Sequence, residues 1–222
     1  MILSQTQEEL SIYLSRQINN LFPDKHEVLP GQLEKCIKIA ISRLDFCFSR
    51  VSNPHYNTGA ESIYNHLHTD HNIVFNWFLS NTIWQQTKND KLASKFYYLN
   101  KAIHAFDCMF DTALPEIFLI FHGAVTVLGK ATYSDYFIAL QGCTVGMNKG
   151  KYPVMGKAVT LTAHSSLIGD CVVGDHVTLS GYTNVIDRNI GSNTIVFRNE
   201  QGANEFKKSK SSFASKFFLN IS

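Results

Sequence analysis

The stretch "MGKAVTLTAHSSLIGDCVVGDHVTLSGYTNVI", residues 155–186, carries an aliphatic at every sixth position: Met155, Leu161, Leu167, Val173, Leu179 and Val185. A helix repeats every 3.6 residues and a strand every 2, so neither alone asks for this spacing. Within each hexad the fifth position is small or β-branched: Val159, Ser165, Cys171, Val177 and Thr183. One short strand and one tight corner fit such a unit. The aliphatic points inward, the small residue fills the corner, and the rest face out. Three units make a triangular coil, and coils stack at the usual inter-strand spacing of about 4.8 Å. Each aliphatic is buried only against its neighbours, so the array behaves as a solenoid.

Outward from this stretch the register loosens. "LGKATY" (128–133) and "ALQGCTVG" (139–146) read as earlier rungs, with "SDYFI" between them. "GMNKGKYPV" (146–154) interrupts the repeat and reads as a loop thrown out of a corner, where solenoids tend to carry function. "IGSNTIVF" (190–197) reads as a last rung. Beyond it the polar, basic, Ser-rich segment ending "FASKFFLNIS" is expected to be mobile or to pack on a neighbouring subunit.

The N-terminal half has a different pattern. Thr6 and Glu9 form a T-x-x-E capping box before "LSIYLSRQINNLF". Leu33, Ile37, Ala40, Ile41, Leu44, Cys47 and Phe48 fall on one helical face. Two more helical stretches follow, with Thr69 or Asp70 expected to cap the first and Asp90 the second. The fold class expected is α+β: an α-helical domain over 1–111, a β-helix over 112–198 and a polar C-terminal tail over 199–222.

Composition narrows the function. The 222 residues are 45% hydrophobic and 17% charged, with a net charge of +2. That balance and the lack of an aromatic-basic motif argue against a nucleic-acid partner. The apolar run Ile117–Gly129 is too short to span a bilayer, so no membrane insertion is expected. Five cysteines without a C-x-x-C pair, and no signal-peptide pattern, point to reduced thiols in the cytoplasm. "HLHTDH" (66–71) gathers His66, His68, Asp70 and His71, but its spacing matches no metal motif and no metal is expected. His164 and His176 are expected on different faces.

With these motifs the chain resembles the hexapeptide-repeat acyltransferases, which form a left-handed parallel β-helix, and within them serine acetyltransferase. "FHGAVTVLG" (121–129) is similar to that family's D-H-A-T-G-I-V-V-G, with the same step from His to Gly. "LQGCTVG" (140–146) is similar to L-Q-S-V-T-L-G, and "KYPV" lies where the family has R-H-P-K. The resemblance implies acetyl-CoA as co-substrate and a homotrimer with acetyl-CoA between adjacent β-helices. The helical domain would then be available to join two trimers.

Residue by residue, it implies that His122 is the catalytic base, and an imidazole's ordinary pKa of about 6.5 suits that role. Packing among apolar neighbours is expected to set the ring's direction. The acidic partner expected for His122 is Asp111, then Glu116. Gly146, Ala163, Ser180 and Gly181 would let the pantetheine arm approach, and Lys149 would meet CoA phosphates. Phe121, Lys151, Tyr152 and Asp70 are the candidate substrate-binding residues. Phe121 stands where the family has an aspartate, and Lys151-Tyr152 where it has Arg-His. Phenylalanine cannot pair with an ammonium group, so a zwitterionic L-serine site looks dismantled. The resemblance then shifts toward O-acetyltransferases of surface-polysaccharide gene clusters, with a sugar hydroxyl as acceptor. Serine O-acetyltransferase is the alternative, and a non-catalytic trimeric scaffold is the alternative of another class.

Overall fold

Four helices precede the solenoid: α1 (Gln7–Leu21), α2 (Glu34–Phe48), α3 (Thr69–Thr87) and α4 (Asp90–His104). The structure is a computed structural model that describes residues 1–221. At the start of α1 the Thr6 hydroxyl accepts from the Glu9 N–H, and the Glu9 carboxylate accepts from the Thr6 N–H. The seven apolar positions expected on the inner face of α2 are all buried. α3 is covered on all sides, with every residue from Asp70 to Ile83 buried.

Two expected caps shift by a residue or two. Asp90 is already helical, and Asn89 caps α4 by accepting from the Leu92 N–H at 3.0 Å. Thr69 and Asp70 likewise lie inside α3, behind His68, whose side chain makes no capping hydrogen bond. A cap must precede the helix with its backbone still outside helical geometry, and neither aspartate does so.

The solenoid begins directly after α4, with Phe106–Asp107 as its first strand. One face stacks Phe106–Asp107, Thr126–Leu128, Thr144–Gly146, Ser166–Ile168 and Asn184–Ile186. A second stacks Thr132, Val154–Met155, Val172–Val173 and Ile190. The third stacks Phe118–Ile120, Phe137–Ala139, Thr160–Leu161, Thr178–Leu179 and Thr194–Arg198. All these neighbours pair in parallel, as stacked coils require. The six repeat anchors, Met155 to Val185, all face the interior at 3% exposure or less. The five small fifth-position residues are buried beside them. The interruption at 146–154 is a true insertion. Thr144 pairs with Ser166 and Ser166 with Asn184, so that coil takes 22 residues where the next takes 18. Asn148 and Lys151 close the extra residues into a small hairpin.

The C-terminal segment packs on its own chain, a correction to the mobile or intersubunit tail expected from its polar composition. Asn204–Lys208 turns back antiparallel on Thr194–Arg198. The chain then descends along the third face as a strap and reaches the helical part. There the Ser52 N–H donates to the Phe217 carbonyl at 2.8 Å, and the Leu219 N–H to the Arg50 carbonyl at 2.7 Å. Phe218 is buried against Tyr136, their rings 5.4 Å apart. Three phenylalanines among the serines and lysines provide the apolar area that anchors the strap.

Candidate functional site

Extending the third-face register by two residues defines the site. Ile120 pairs with Ala139, Ala139 with Leu161, and Leu161 with Leu179. Two positions on, His122, Gln141, Ala163 and Gly181 form one column on successive coils, where the strand bends into its corner. One position earlier, Phe121, Leu140, Thr162 and Ser180 form a second column. Beside the first column, and one residue later, lies the corner itself, with Gly142, His164 and Tyr182.

His122 is exposed, so packing does not hold its ring as expected. Its backbone is what is held. Its φ is 52°, in the left-handed region that costs a non-glycine residue about 1–2 kcal/mol. The N–H of His122 donates to an oxygen of Asp70 at 2.9 Å. Asp70 comes from the first turn of α3, which points at the first coil. Its neighbour Gly123 lets that helix close in, because a Cβ there would lie 2.9 Å from the Ile73 side chain. Asp70 is 5% exposed, and burial raises its carboxyl above the usual carboxylate range. The His122 N–H and the positive forms of His122 and His68 oppose that shift.

Asp111 and Glu116 are engaged elsewhere. Lys130 holds Asp111 at 3.0 Å. Arg43 of α2 grips Glu116 through two hydrogen bonds, of 2.8 and 3.1 Å, while also donating to Asn81 and Thr82. Glu116 therefore ties the helical part to the solenoid. Both carboxylates follow the nearest cation rather than the nearest histidine in sequence.

His122 and Asp70 open into a cleft of about 460 Å³, walled by Tyr56, Phe121, Leu140, Phe213 and Phe217, with His55 and His68 at its rim. Phe121 packs edge-on against Tyr56 and lies 4.9 Å from the Phe217 ring. His68 in turn stacks on the buried His71 at 4.0 Å. The His71 Nδ1 accepts from the Asn65 N–H, and burial pushes its pKa down to about 3. Tyr56 Oη and Gln141 Oε1 are buried without hydrogen-bond partners among the described residues. Among the described residues no three His, Cys, Asp or Glu side chains are grouped to hold a metal ion.

A second groove, lined by Thr162, Ser180, Gly181 and the strap residues Ser209–Lys216, continues from this cleft, and Phe213 lines both. Gly181 matters by its size, since a Cβ there would stand 3.3 Å from the Ala163 carbonyl. The remaining candidates lie on another corner of the same chain. Lys149 and Lys151 border a cleft of about 540 Å³ with Asp170 and Asp187, next to Gly146 and Tyr152. The chain therefore brings together His122, Phe121, Asp70, Ala163, Ser180 and Gly181, but not Gly146, Lys149, Lys151 or Tyr152. A larger cavity of about 1050 Å³ between the 24–32 segment and the α3–α4 turn contains none of these residues.

Solved structures share this architecture. Serine acetyltransferase from Brucella abortus strain S19 superposes with a TM-score of 0.67 at 13% identity, covering 94% of this chain and 86% of that one. The Vibrio cholerae enzyme gives 0.66 at 15% identity, over 91% and 80%. Isoform 3 from Entamoeba histolytica, in complex with cysteine, gives 0.58 at 17% identity, over 90% and 73%. The fold is that of the serine acetyltransferases. No protein-family model and no curated protein sequence matches the chain. At these identities the likeness is one of fold, and the chemistry rests on the residues themselves.

Sequence reasoning missed Tyr56, Gln141, Phe213 and Phe217. Gln141 was signalled by its place two residues after Ala139, on the same register as His122 after Ile120. The strap phenylalanines gave no periodic signal at all.

Proposed function

We propose that the chain is an acetyl-CoA-dependent O-acetyltransferase with His122 as general base. The observation that carries this is the column His122–Gln141–Ala163–Gly181, with one exposed histidine at the foot of a groove of small residues. A thioester is already activated, so the reaction needs a base, an aligned acceptor and little else. His122 takes the proton of the acceptor hydroxyl as its oxygen bonds to the acetyl carbon. The C–S bond breaks as the tetrahedral adduct collapses, and His122 returns the proton to the departing CoA thiolate. Asp70 holds the His122 backbone at the angle that presents the ring to the cleft.

The acceptor we favour is a sugar hydroxyl, as in surface-polysaccharide biosynthesis. Tyr56, Phe121, Leu140 and Phe217 offer apolar walls suited to the C–H face of a sugar ring. Asp70 favours a second reading, because its carboxylate in the same cleft is an anion that could meet the ammonium of L-serine. In the homotrimer with sites between subunits that we favour, Lys149, Lys151 and Tyr152 would come to His122 from a neighbouring copy. Five free, buried thiols suit a cytoplasmic setting. The described residues include no helix long and apolar enough to cross a membrane.

The test is thiol release from acetyl-CoA with L-serine, amino sugars and neutral glycans as acceptors. Turnover with a sugar and none with L-serine is expected. Turnover with L-serine alone would move the assignment to the second reading, and none with any acceptor would favour a scaffold.

A further inference from the structure

We propose that Tyr182, stacked on His164, is the platform that receives the adenine ring of acetyl-CoA, a site that rests on the acetyltransferase reading above. The two rings lie 5.0 Å apart and only 17° from parallel. The stack has a firm base, since a Cβ on Gly142 one coil below would collide with the His164 ring. Its other end is open, with Tyr182 64% exposed. Both residues are left-handed, at φ 59°, as are other corner residues of the solenoid such as Tyr136 and His176, so the corner sets their backbone while their stacked, open rings are particular to this pair.

The position of the pair assigns that use. His164 follows Ala163 and Tyr182 follows Gly181, so the stack borders the column that begins at His122. Tyr182 stands three coils above His122, about 14 Å at the usual inter-strand spacing. An extended pantetheine arm separates the thioester from the nucleotide over a comparable span. Lys216 of the strap lines the same groove and offers a cation to the phosphates. Stacking on an aromatic ring tolerates any base and is strong enough to change affinity about tenfold or more when the ring is removed.

Acetyl-CoA and acetylpantetheine, which lacks the nucleotide, separate this platform from the reaction itself. In Tyr182→Ala and Tyr182→Gly, the KM for acetyl-CoA is expected to rise about tenfold or more, without a matching rise for acetylpantetheine. Tyr182→Phe, which keeps the ring, should retain the acetyl-CoA KM. Glycine relieves the left-handed strain, so Tyr182→Gly should melt no lower than the parent and removes misfolding as an explanation. An equal change with both thioesters, or a change only in the acceptor KM, would overturn the platform while leaving the acetyltransferase reading intact. A parent protein that turns over neither thioester would sink both.

Discussion

Two columns climb the third face of the solenoid two residues apart. The inward one is Ala139, Leu161, Leu179 and Val196, all fully buried. The outward one is His122, Gln141, Ala163 and Gly181, with four different chemistries. The same ladder of hydrogen bonds supports both. The inward column must fill an enclosed space, so only apolar aliphatics serve there, their sizes complementing one another from Ala139 to Leu179. The outward column meets solvent and a cleft, so the core does not dictate its residue types, although Gly181 is held small by the Ala163 carbonyl. Stability and chemistry are thus separated by two residues along one strand.

That separation can be broken from either side. Leu161→Ala empties part of the inward column and is expected to cost about 2–5 kcal/mol, read as a lower urea midpoint at unchanged m value. Turnover per folded molecule should stay near the parent's. His122→Ala should do the reverse, lowering turnover about 100-fold or more, about 2.7 kcal/mol of barrier, with the melting temperature nearly unchanged. Parent-like turnover in that variant would remove the catalytic role of the outward column.

A smaller effect sharpens the contrast between the helical half and the solenoid. Burial pushes His71 down to about 3 and His104 to about 4, and both belong to the helical half. Below pH 6.5 the unfolded chain protonates these imidazoles while the folded one does not. Stability contributed by them is therefore complete above pH 6.5 and is lost as pH falls toward their folded values. Each group contributes a slope of about 1.4 kcal/mol per pH unit at most. Asp70, raised by burial, acts in the opposite sense above the ordinary aspartate value. Urea titrations from pH 7 to 4.5 should show falling stability, and His71→Phe should flatten the fall. A flat profile in the parent would show that these histidines titrate freely.

The inward column was legible in the sequence because burial permits so few residue types at each sixth position. His122 stood out in the sequence through its step to Gly129, as a proposal still to be tested, but its exposure did not, since apolar neighbours in sequence face the core while the histidine turns out. The role of Asp70 was hidden because its contact spans 52 residues of chain. Asp111 and Glu116 were expected as partners of His122 from the resemblance to a family with an upstream acidic residue, and in the fold they pair with Lys130 and Arg43 instead. The strap was hidden by composition: serines and lysines suggest a solvated tail, and three aromatics decide otherwise.

The antiparallel turn at Asn204–Lys208 has a consequence for how many molecules take part in one ladder. Each face of stacked strands ends in unpaired backbone groups, and an open parallel edge invites another chain to continue it. Here the last strand of the third face is covered by a segment of reversed direction, with Glu205, Lys207 and Lys208 along it. A further coil in the same sense finds no template there. On this face the stacking of coils is ended from within, by the chain's own reversal of direction.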